Sequence, residues 1–292
     1  MADIPKTPFA IIGGSGTWAI TFPEDVADPD VTVVQRDLVF DTPYGTSPPL
    51  KLLRLNPSAP DHVAKDVLHV PMHGWRRDSD YTRLDSSEQL FWLFREAGVK
   101  QILVEASVGG LNHLLEPNDI VVPHDFIDER VSRSIKFVSN VGVLRMRKPM
   151  CPSLGNVLIS EAEKHYRRVM RRGISIVFEG PRIESPAEIA LMRQQGGDIV
   201  GQSATPEVYL ARSIGAHIAF LNIVSNYAEG VNDDWRTDEW NDFYLKCGPT
   251  VGKTILGAMK RLTGTVDCEC DRWFPRRFDG VSDASKASGG NS

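Results

Sequence analysis

Four charged side chains lie close together in the stretch "FEGPRIESPAE", which spans residues 178–188. They are Glu179, Arg182, Glu184 and Glu188. The stretch carries too much charge for a buried strand and too many prolines for a regular helix. Two interpretations are open for it. It is either a solvated loop that leads into a surface helix, or a loop in which one carboxylate binds a ligand.

Polar residues and glycines also follow several apolar runs that look like buried strands. "IIGGSG" places Ser15 among glycines, "MHG" ends with His73 and Gly74, "GQSATPE" contains Gln202 and Ser203, and "SNYAEG" begins with Ser225 and Asn226. Glycines after a strand let the backbone turn so that successive N–H groups point at one spot, which suits an anion. Each motif also has a purely structural interpretation. The glycines of "IIGGSG" could form an ordinary turn, His73 could be a structural histidine, and Ser203 could cap the N-terminus of a helix.

The elements that position these residues alternate along the chain. Apolar runs predict strands, and amphipathic patterns with terminal glycines predict helices. The predicted strands are 9–14, 67–72, 101–107, 119–127, 174–180 and 217–225, and the predicted helices are 86–98, 153–173, 185–196, 205–215 and 248–264. This order predicts an α/β domain with a largely parallel or mixed sheet, in which ligands bind beyond the carboxyl ends of the strands.

Composition narrows the class of protein. The 292 residues are 41% hydrophobic and 24% charged, as in soluble globular proteins. A net charge of −5 does not favour nucleic-acid binding, and no apolar run approaches the roughly 20 residues that span a bilayer. The N-terminus lacks the pattern of a signal peptide. We therefore expect a cytoplasmic protein with no nucleic-acid or membrane partner.

Two sequence features resemble binding motifs without their usual context. Cys268 and Cys270 form a C-x-C pair, but no further cysteine or histidine lies nearby in sequence, so no metal site is predicted. The pair either has no catalytic role or forms a strained redox or structural disulfide. "GPTVGKT" (248–254) has the spacing of a phosphate loop but does not follow a strand, so that function is not favoured.

Several stretches together resemble the trimeric nucleoside phosphorylases, the family of purine nucleoside phosphorylase and methylthioadenosine phosphorylase. The matching stretches are "IIGGSG" (11–16), "DTPYG" (41–45), "HG" (73–74), "VGGLNHLLEPNDIVVPHDFID" (108–128), "EGPRIESPAE" (179–188), "GGDIVGQSATPEVYLARSIG" (196–215) and "IVSNYAEG" (223–230). The resemblance implies a single α/β domain, residues 1–265, with a twisted mixed β-sheet flanked by helices. Residues 266–292 would form a C-terminal extension with the C-x-C pair and a flexible tail.

The same resemblance implies a reaction and an assembly. Family members are homotrimers, some of them dimers of trimers. They cleave a nucleoside with inorganic phosphate, which is a co-substrate, to a free base and a pentose 1-phosphate, and they need no cofactor. The expected partners of this chain are therefore phosphate and a purine nucleoside with either a 5′-hydroxyl or a 5′-methylthio group.

The resemblance also assigns residues to ligands, position by position. The expected phosphate-binding residues are Ser15, His73, Ser203 and, through its backbone N–H, Ser107. Gln202 matches a methionine that lies against the ribose. The expected base-binding residues are Ile183, Glu184, Ser225 and Asn226. Of all these residues, Asn226, His73 and Ser203 are the expected catalytic group.

Glu184 and Asn226 predict which purine is preferred. A 6-oxopurine has an N1–H donor that a carboxylate accepts, whereas adenine presents a bare acceptor at N1. Asn226 offers an N–H and a C=O, and is expected to satisfy O6 and N7 together. Ala228 stands where the adenosine-type members look to carry an aspartate. The sequence therefore predicts 6-oxopurine nucleosides over adenine nucleosides.

The expected phosphate site departs from the family pattern. Met72 replaces the usual arginine, Ala106 replaces a threonine, and Glu105 places an acid beside the expected phosphate. Arg76, Arg77 or Arg83 are candidates to restore positive charge. Three interpretations follow: a phosphorylase with rearranged phosphate binding, a hydrolase in which Glu105 activates water, or a non-catalytic nucleoside-binding homologue.

The residues expected to cover the 5′ end of the sugar lie in "VNDDWRTDEWNDF" (231–243). This stretch holds Asp233, Asp234, Trp235 and Trp240. Because acidic and aromatic groups are both present, the sequence leaves a 5′-hydroxyl and a 5′-methylthio group equally open.

Overall fold

The computed structural model describes residues 3–59, 62–76, 79–130, 135–136, 143–232 and 240–275. Its strands are β1 (Phe9–Ile12), β2 (Val31–Leu38), β3 (Asp41–Thr42), β4 (Gly45–Thr46), β5 (Leu50–Leu55), β6 (Lys65–Val70), β7 (Gln101–Gly110), β8 (Ile120–Val121), β9 (Asp125–Asp128), β10 (Val169–Met170), β11 (Ile174–Val177), β12 (Ile199–Gly201) and β13 (His217–Tyr227). Its helices are α1 (Ser15–Trp18), α2 (Arg83–Ala97), α3 (Pro152–Ala162), α4 (Pro186–Gln194), α5 (Glu207–Ser213) and α6 (Trp240–Arg261).

The strands form one large mixed sheet, with β3 and β4 as a separate pair. The main order is β10-β8-β13-β7-β1-β6-β5-β2, and β12 branches from β7 and leads to β11 and β9. β1, β6, β7 and β13 run parallel to one another. At one edge of the sheet β5 pairs antiparallel with β6, and β2 pairs antiparallel with β5. The predicted mixed α/β fold is confirmed. Because the four parallel strands end at one edge of the sheet, the loops that follow them gather there.

The core lies on both faces of this sheet. In β1, Phe9 and Ile11 pack into one hydrophobic cluster, and Ala10 and Ile12 pack into the other. Successive side chains of a strand point to opposite faces, so a strand covered on both sides is apolar at every position. α3 and α6 contribute to the first cluster, and α2 and α5 contribute to the second.

The observed elements differ from the predicted ones where tertiary contacts override local pattern. The predicted helix 153–173 ends at Ala162 and is followed by β10, which pairs with β8. The predicted strand 119–127 is divided into β8 and β9. The edge strand β2 was not predicted because all eight of its residues are exposed or half-buried and its sequence lacks a clean alternation of apolar and polar residues.

The stretch 248–254, which has phosphate-loop spacing, lies inside α6 and is not a loop. A Cβ atom at Gly248 would lie 2.8 Å from the carbonyl oxygen of Gly16, and one at Gly252 would lie 2.6 Å from Val26 Cγ2. Gly248 therefore lets α6 pack closely against the turn after β1, and Gly252 lets it pack against Val26 and Phe22. Their role is steric, and the interpretation against a phosphate loop is confirmed.

The segment after α6 packs against the hydrophobic core of the domain. Val266, Cys268 and Phe274 pack against the first core cluster, and Cys270 is buried within it. The predicted division at residue 265 stays a prediction, and the predicted flexible tail lies outside the described residues from 276 onwards. In the part of the chain that the structure describes, no helix is both long and apolar enough to cross a membrane.

Candidate active site

One cavity of about 210 Å³ lies beyond the carboxyl ends of the parallel strands. All nine residues expected from the sequence to bind substrate line it. They are Ser15, His73, Ser107, Ile183, Glu184, Gln202, Ser203, Ser225 and Asn226. The structure therefore brings together side chains that are up to 211 positions apart in the sequence, from Ser15 to Asn226 (226 − 15). The function of each remains a prediction.

The turn after β6 presents His73 to the cavity. Met72 has φ of 46° and His73 has φ of 54°, so two side-chain-bearing residues in succession adopt left-handed backbone, and Gly74 follows with φ of 78°. Each such residue costs on the order of 1 kcal/mol or more. The His73 N–H donates to the carbonyl oxygen of Gly13 at 2.8 Å, which ties this turn to the glycine turn after β1.

His73 is the centre of a buried chain of three side chains. Its Nδ1 lies 2.7 Å from Glu207 Oε1, and its Nε2 lies 3.2 Å from Ser203 Oγ. His73 is 4% exposed and Glu207 is 2% exposed. Because a carboxylate only accepts hydrogen bonds, Nδ1 carries a proton, and Nε2 is left to accept from Ser203 or, when protonated, to donate into the cavity. Ser203 is not a helix cap, since Pro206 holds the N-cap position of α5.

Glu105 has a role different from the one the sequence suggested. It is fully buried inside β7, and its carboxylate accepts hydrogen bonds from the backbone N–H groups of Gly14 at 2.7 Å, Gly16 at 3.2 Å and Thr17 at 3.1 Å. The Thr17 hydroxyl donates to it as well, at 2.8 Å. The glycine turn does bind an anion, but that anion is Glu105. The interpretation in which Glu105 activates water is therefore wrong, because the carboxylate is sealed away from the cavity.

Positive charge reaches the cavity from α2. Arg83, at the first turn of that helix, lines the cavity beside Met72 and His73. Burial lowers the pKa of Arg83, and the charge of Glu207 acts in the opposite direction. Arg76 is committed elsewhere: its guanidinium donates to Ser47 and Thr46 carbonyl oxygens and to Gln89. Arg77 lies outside the described residues.

α6 adds two aromatic residues to the same end of the cavity. The Tyr244 hydroxyl donates to Ser107 Oγ at 3.1 Å, and burial raises the pKa of Tyr244. Ser15 also approaches this hydroxyl. Trp240 lines the cavity near them, while its neighbours at 233–239 lie outside the described residues. Ser15, Ser107, Ser203 and Tyr244 thus bring hydroxyls to the cavity that His73 also lines, and the Tyr244 hydroxyl approaches Ser225 as well.

The opposite end of the cavity is formed by the charged loop before α4. Ser185 and Glu188 make a capping box at the start of that helix, and Glu188 also holds Arg182 through two hydrogen bonds of 2.7 and 2.8 Å. Arg182 also stacks over the ring of Phe178 at 4.4 Å. The hydrogen bonds from Arg182 to Glu188, and the one from the Ser185 N–H, lower the pKa of Glu188 to about 2. The latch of Arg182 and Glu188 therefore fixes the two residues between them that line the cavity.

Those two residues are Ile183 and Glu184. Ile183 is 37% exposed, so its side chain is only partly covered by the protein. Burial raises the pKa of Glu184, and the nearby charge of Glu188 acts in the same direction. A carboxyl group whose pKa is raised accepts hydrogen bonds in its ionised form and donates one in its protonated form.

Asn226 is oriented by its neighbours. Its Oδ1 accepts from Ser225 Oγ at 2.7 Å, and its Nδ2 donates to the Tyr227 carbonyl oxygen at 2.8 Å. One N–H and one lone pair of the amide remain. O6 and N7 of a neutral 6-oxopurine are both acceptors, so the remaining N–H serves one of them. The expectation that Asn226 meets both at once therefore needs N7 to be protonated, when it donates to Oδ1.

Gln202 lines the cavity, and its Nε2 donates to the Arg182 carbonyl oxygen at 3.4 Å. Sequence reasoning missed Tyr244 as a cavity residue and Glu207 as the partner of His73, and left Arg83 as one of three candidates. Glu207 had a usable signal, since it follows Ser203 at a four-residue spacing in "SATPE". Nothing in the sequence around Tyr244 distinguishes it from other polar residues of an amphipathic helix.

Comparisons of the sequence and of the fold with known proteins all find phosphorylases. The family model for the phosphorylase superfamily matches residues 83–260. The chain is 34% identical to a probable S-methyl-5′-thioinosine phosphorylase of Methanopyrus kandleri, over 91% of this chain and 97% of that protein. It is 30% identical to a probable 6-oxopurine nucleoside phosphorylase of Moorella thermoacetica, over 89% of this chain and 95% of that one. A solved methylthioadenosine phosphorylase from an antarctic soil metagenomic library has the same fold, with a TM-score of 0.71 at 23% identity, covering 88% of this chain and 86% of its own.

Proposed function

The chain belongs to the phosphorylase superfamily, and from this membership we propose that it is a purine nucleoside phosphorylase with a preference for 6-oxopurines. The substrate is an inosine-type nucleoside with a 5′-hydroxyl or a 5′-methylthio group. The products are the free base and a pentose 1-phosphate. The observation that carries the proposal is the chemistry of the cavity, which has a cationic, hydroxyl-rich end around His73 and a carboxylate–amide end at Glu184 and Asn226.

The His73 end suits phosphate because it combines neutral donors with positive charge. Ser15, Ser107 and Ser203 supply hydroxyls, and Arg83 supplies the guanidinium that the family places at the position of Met72. A guanidinium binds phosphate oxygens with charge-assisted hydrogen bonds. His73, held at Nδ1 by Glu207, donates from Nε2 when it is protonated. Arg83 of α2 therefore takes the place of the arginine that family members carry at the position of Met72.

The reaction then runs between the two ends. An oxygen of phosphate attacks C1′ of the sugar, the bond from C1′ to purine N9 breaks, and its electron pair goes to the purine. Phosphate stabilises the positive charge that develops on the sugar, and donors around the purine stabilise the departing base. Asn226 takes part through its free N–H and, once N7 carries a proton, through its carbonyl oxygen.

The purine preference rests on Glu184. In its ionised form the carboxylate accepts the N1–H of a 6-oxopurine and repels the lone pair on adenine N1. Ala228 lines the same end of the cavity and offers no side-chain hydrogen bond to the base. Adenine has no N1–H to donate to the Glu184 carboxylate, and Ala228 has no side-chain donor for adenine N1.

Parallel phosphorolysis assays test the proposal. Inosine, 5′-methylthioinosine and 5′-methylthioadenosine are each incubated with the protein, with and without phosphate, and the released base is quantified by chromatography. We expect release of hypoxanthine that depends on phosphate, with little adenine released. Release of base without phosphate would indicate a hydrolase, and binding without any release would indicate a non-catalytic homologue; a preference for methylthioadenosine would contradict the role of Glu184.

We also propose that the protein is a homotrimer, alone or as a dimer of trimers, and that it is cytoplasmic. The family resemblance supports the assembly, and the composition supports the location. Light scattering coupled to size-exclusion chromatography tests the assembly, and a monomer in solution would contradict it.

A further inference from the structure

A cluster of three cysteines and a histidine lies away from the cavity. Cys268 and Cys270 come from the segment after α6, Cys151 is the N-cap residue of α3, and His217 begins β13. One ligand atom from each lies within 4.8 Å of the other three. The C-x-C pair therefore has a third cysteine and a histidine beside it in space, although they are 117 and 51 residues away from Cys268 in sequence.

The separations within the cluster match those of a tetrahedral metal centre. Two sulfurs bonded to zinc at about 2.3 Å lie about 3.8 Å apart, and a sulfur and an imidazole nitrogen on the same ion lie about 3.6 Å apart. Cys151 Sγ and Cys268 Sγ are 3.8 Å apart, and Cys268 Sγ and His217 Nδ1 are 3.4 Å apart. The longest separation of 4.8 Å exceeds the ideal by about 1 Å, which side-chain rotation covers.

The groups around the cluster are those that usually surround a zinc ligand set. His217 Nε2 lies 3.5 Å from the Asp271 carboxylate, so the histidine presents Nδ1 to the cysteines and its other nitrogen to an acid. The Cys270 N–H donates to Cys268 Sγ at 3.4 Å. A carboxylate behind a ligating histidine fixes its tautomer and orientation, and N–H donors to sulfur stabilise the thiolate.

The charge balance also fits. Three thiolates, one neutral imidazole and a divalent cation sum to −1. Arg212 is 3% exposed, interacts electrostatically with all three cysteines, and has an Nη1 atom without a hydrogen-bond partner among the described residues. Its Nη2 donates to the Lys148 carbonyl oxygen at 2.7 Å. A buried guanidinium next to a centre of net charge −1 is compensated.

We propose that Cys151, His217, Cys268 and Cys270 bind one Zn²⁺ ion as a closed structural site. Sulfur and imidazole ligands in a tetrahedral arrangement favour zinc over the hard cations Mg²⁺ and Ca²⁺. With four protein ligands the centre has no open position for a substrate. Its effect is to join the segment after α6 to the start of α3 and the start of β13.

Metal content tests the proposal directly. The full chain is produced in zinc-supplemented medium, purified with a reductant and without chelator, and analysed by inductively coupled plasma mass spectrometry. We expect about one zinc per chain, released when an organomercurial titrates the thiols. Cobalt substitution should give the d–d and thiolate charge-transfer absorption of tetrahedral cobalt with sulfur ligands.

Variants distinguish the cluster from an adventitious thiol. Cys151→Ser and the double change Cys268→Ser with Cys270→Ser are expected to lose stoichiometric zinc, whereas Cys247→Ser should keep it. Cys247 is a matched control because it is a buried cysteine of α6 outside the cluster. If the cluster variants do not fold, the zinc content and cobalt spectrum of the unaltered chain still decide the matter.

Two results would overturn the zinc site. One is a chain that holds less than about a tenth of an equivalent of zinc after exposure to Zn²⁺ under reducing conditions. The other is a disulfide among the three cysteines, found by non-reducing peptide mapping of protein that was purified in the presence of zinc.

Discussion

The two ends of the cavity are built in different ways. The end around His73 takes its side chains from the turns after β1 and β6 and from α2, β7 and α6, and joins them through buried hydrogen bonds. The end at Glu184 comes largely from one exposed loop held by the pair of Arg182 and Glu188. The first end therefore has several donors, and its cation, Arg83, comes from α2 and not from the position of Met72. In the proposed function, the purine selectivity of the second end depends on the single carboxylate of Glu184.

Arg83→Met gives the largest expected effect and tests whether the His73 end has replaced its arginine. Loss of a charged hydrogen bond to phosphate costs about 1.5–3 kcal/mol, so kcat/KM for phosphate should fall by about 10- to 150-fold. Arg83→Lys should recover part of the loss. Steady-state kinetics with varied phosphate at saturating inosine measure both.

The control for Arg83 lies on the same helix. Arg95 pairs with Glu96 at 2.7 Å and does not line the cavity, so Arg95→Met should leave the kinetics unchanged. If Arg83→Met binds phosphate as well as the parent protein does, the hypothesis that Arg83 replaces the arginine missing at position 72 is wrong.

The selectivity of the Glu184 end should depend on pH. Burial raises the pKa of Glu184, so the carboxyl group stays protonated up to a higher pH than usual. Above that pKa it accepts from the N1–H of a 6-oxopurine, and below it the protonated group donates to adenine N1. The ratio of kcat/KM for inosine to that for adenosine should therefore fall as pH decreases, by about 20-fold across the transition.

Glu184→Gln is the matched variant for this prediction. Glutamine has nearly the same shape, accepts and donates at all pH values, and should give a ratio that is small and independent of pH. A ratio that changes with pH to the same extent in the variant would place the titrating group elsewhere.

Glu207→Gln tests the positioning of His73. A neutral amide in place of the carboxylate weakens a charge-assisted hydrogen bond, and kcat/KM should fall about tenfold. An unchanged kcat/KM for phosphate in the variant would contradict a role of Glu207 in positioning His73.

Glu188→Gln gives the smallest expected effect and tests the latch of the exposed loop. The variant weakens the hold on Arg182, so the loop with Ile183 and Glu184 is less ordered, and KM for the nucleoside should rise about two- to threefold with kcat unchanged. Glu116→Gln is the control, since Glu116 forms a similar exposed pair with Arg168 at 3.0 Å. Equal behaviour of the two variants would show that the latch has no functional effect.

The contrast between the two ends also explains what the sequence could predict. Glu184 and Asn226 lie in motifs that are short and local, so the sequence could single them out, and both line the cavity, while their roles stay predictions. The partners of His73 and of Glu105 come from 134 and 91 residues away, and no local pattern encodes such contacts. Glu105 looked like an acid in an anion site because sequence alone does not tell on which side of a strand end a carboxylate points.

The same reasoning applies to the fold. Strands buried on both faces, such as β1, β7 and β13, were predicted because each contains a run of mostly apolar residues. The half-exposed edge strand β2 and the short β10 depend on their neighbours for pairing, and were missed. The cluster of Cys151 and His217 with the C-x-C pair was invisible for a similar reason, since it joins three separate elements.

The carboxylate of Glu105 in the turn after β1 has a thermodynamic consequence for ligand binding. A glycine-rich turn is among the most flexible parts of an unbound chain, and ordering it on binding costs conformational entropy. Here the hydrogen bonds to Gly14, Gly16 and Thr17 order the turn during folding. In the proposed site, phosphate binds beside a segment that is already rigid. Less of its binding free energy is then spent on ordering protein, and the heat and entropy of phosphate binding should report little change in backbone order.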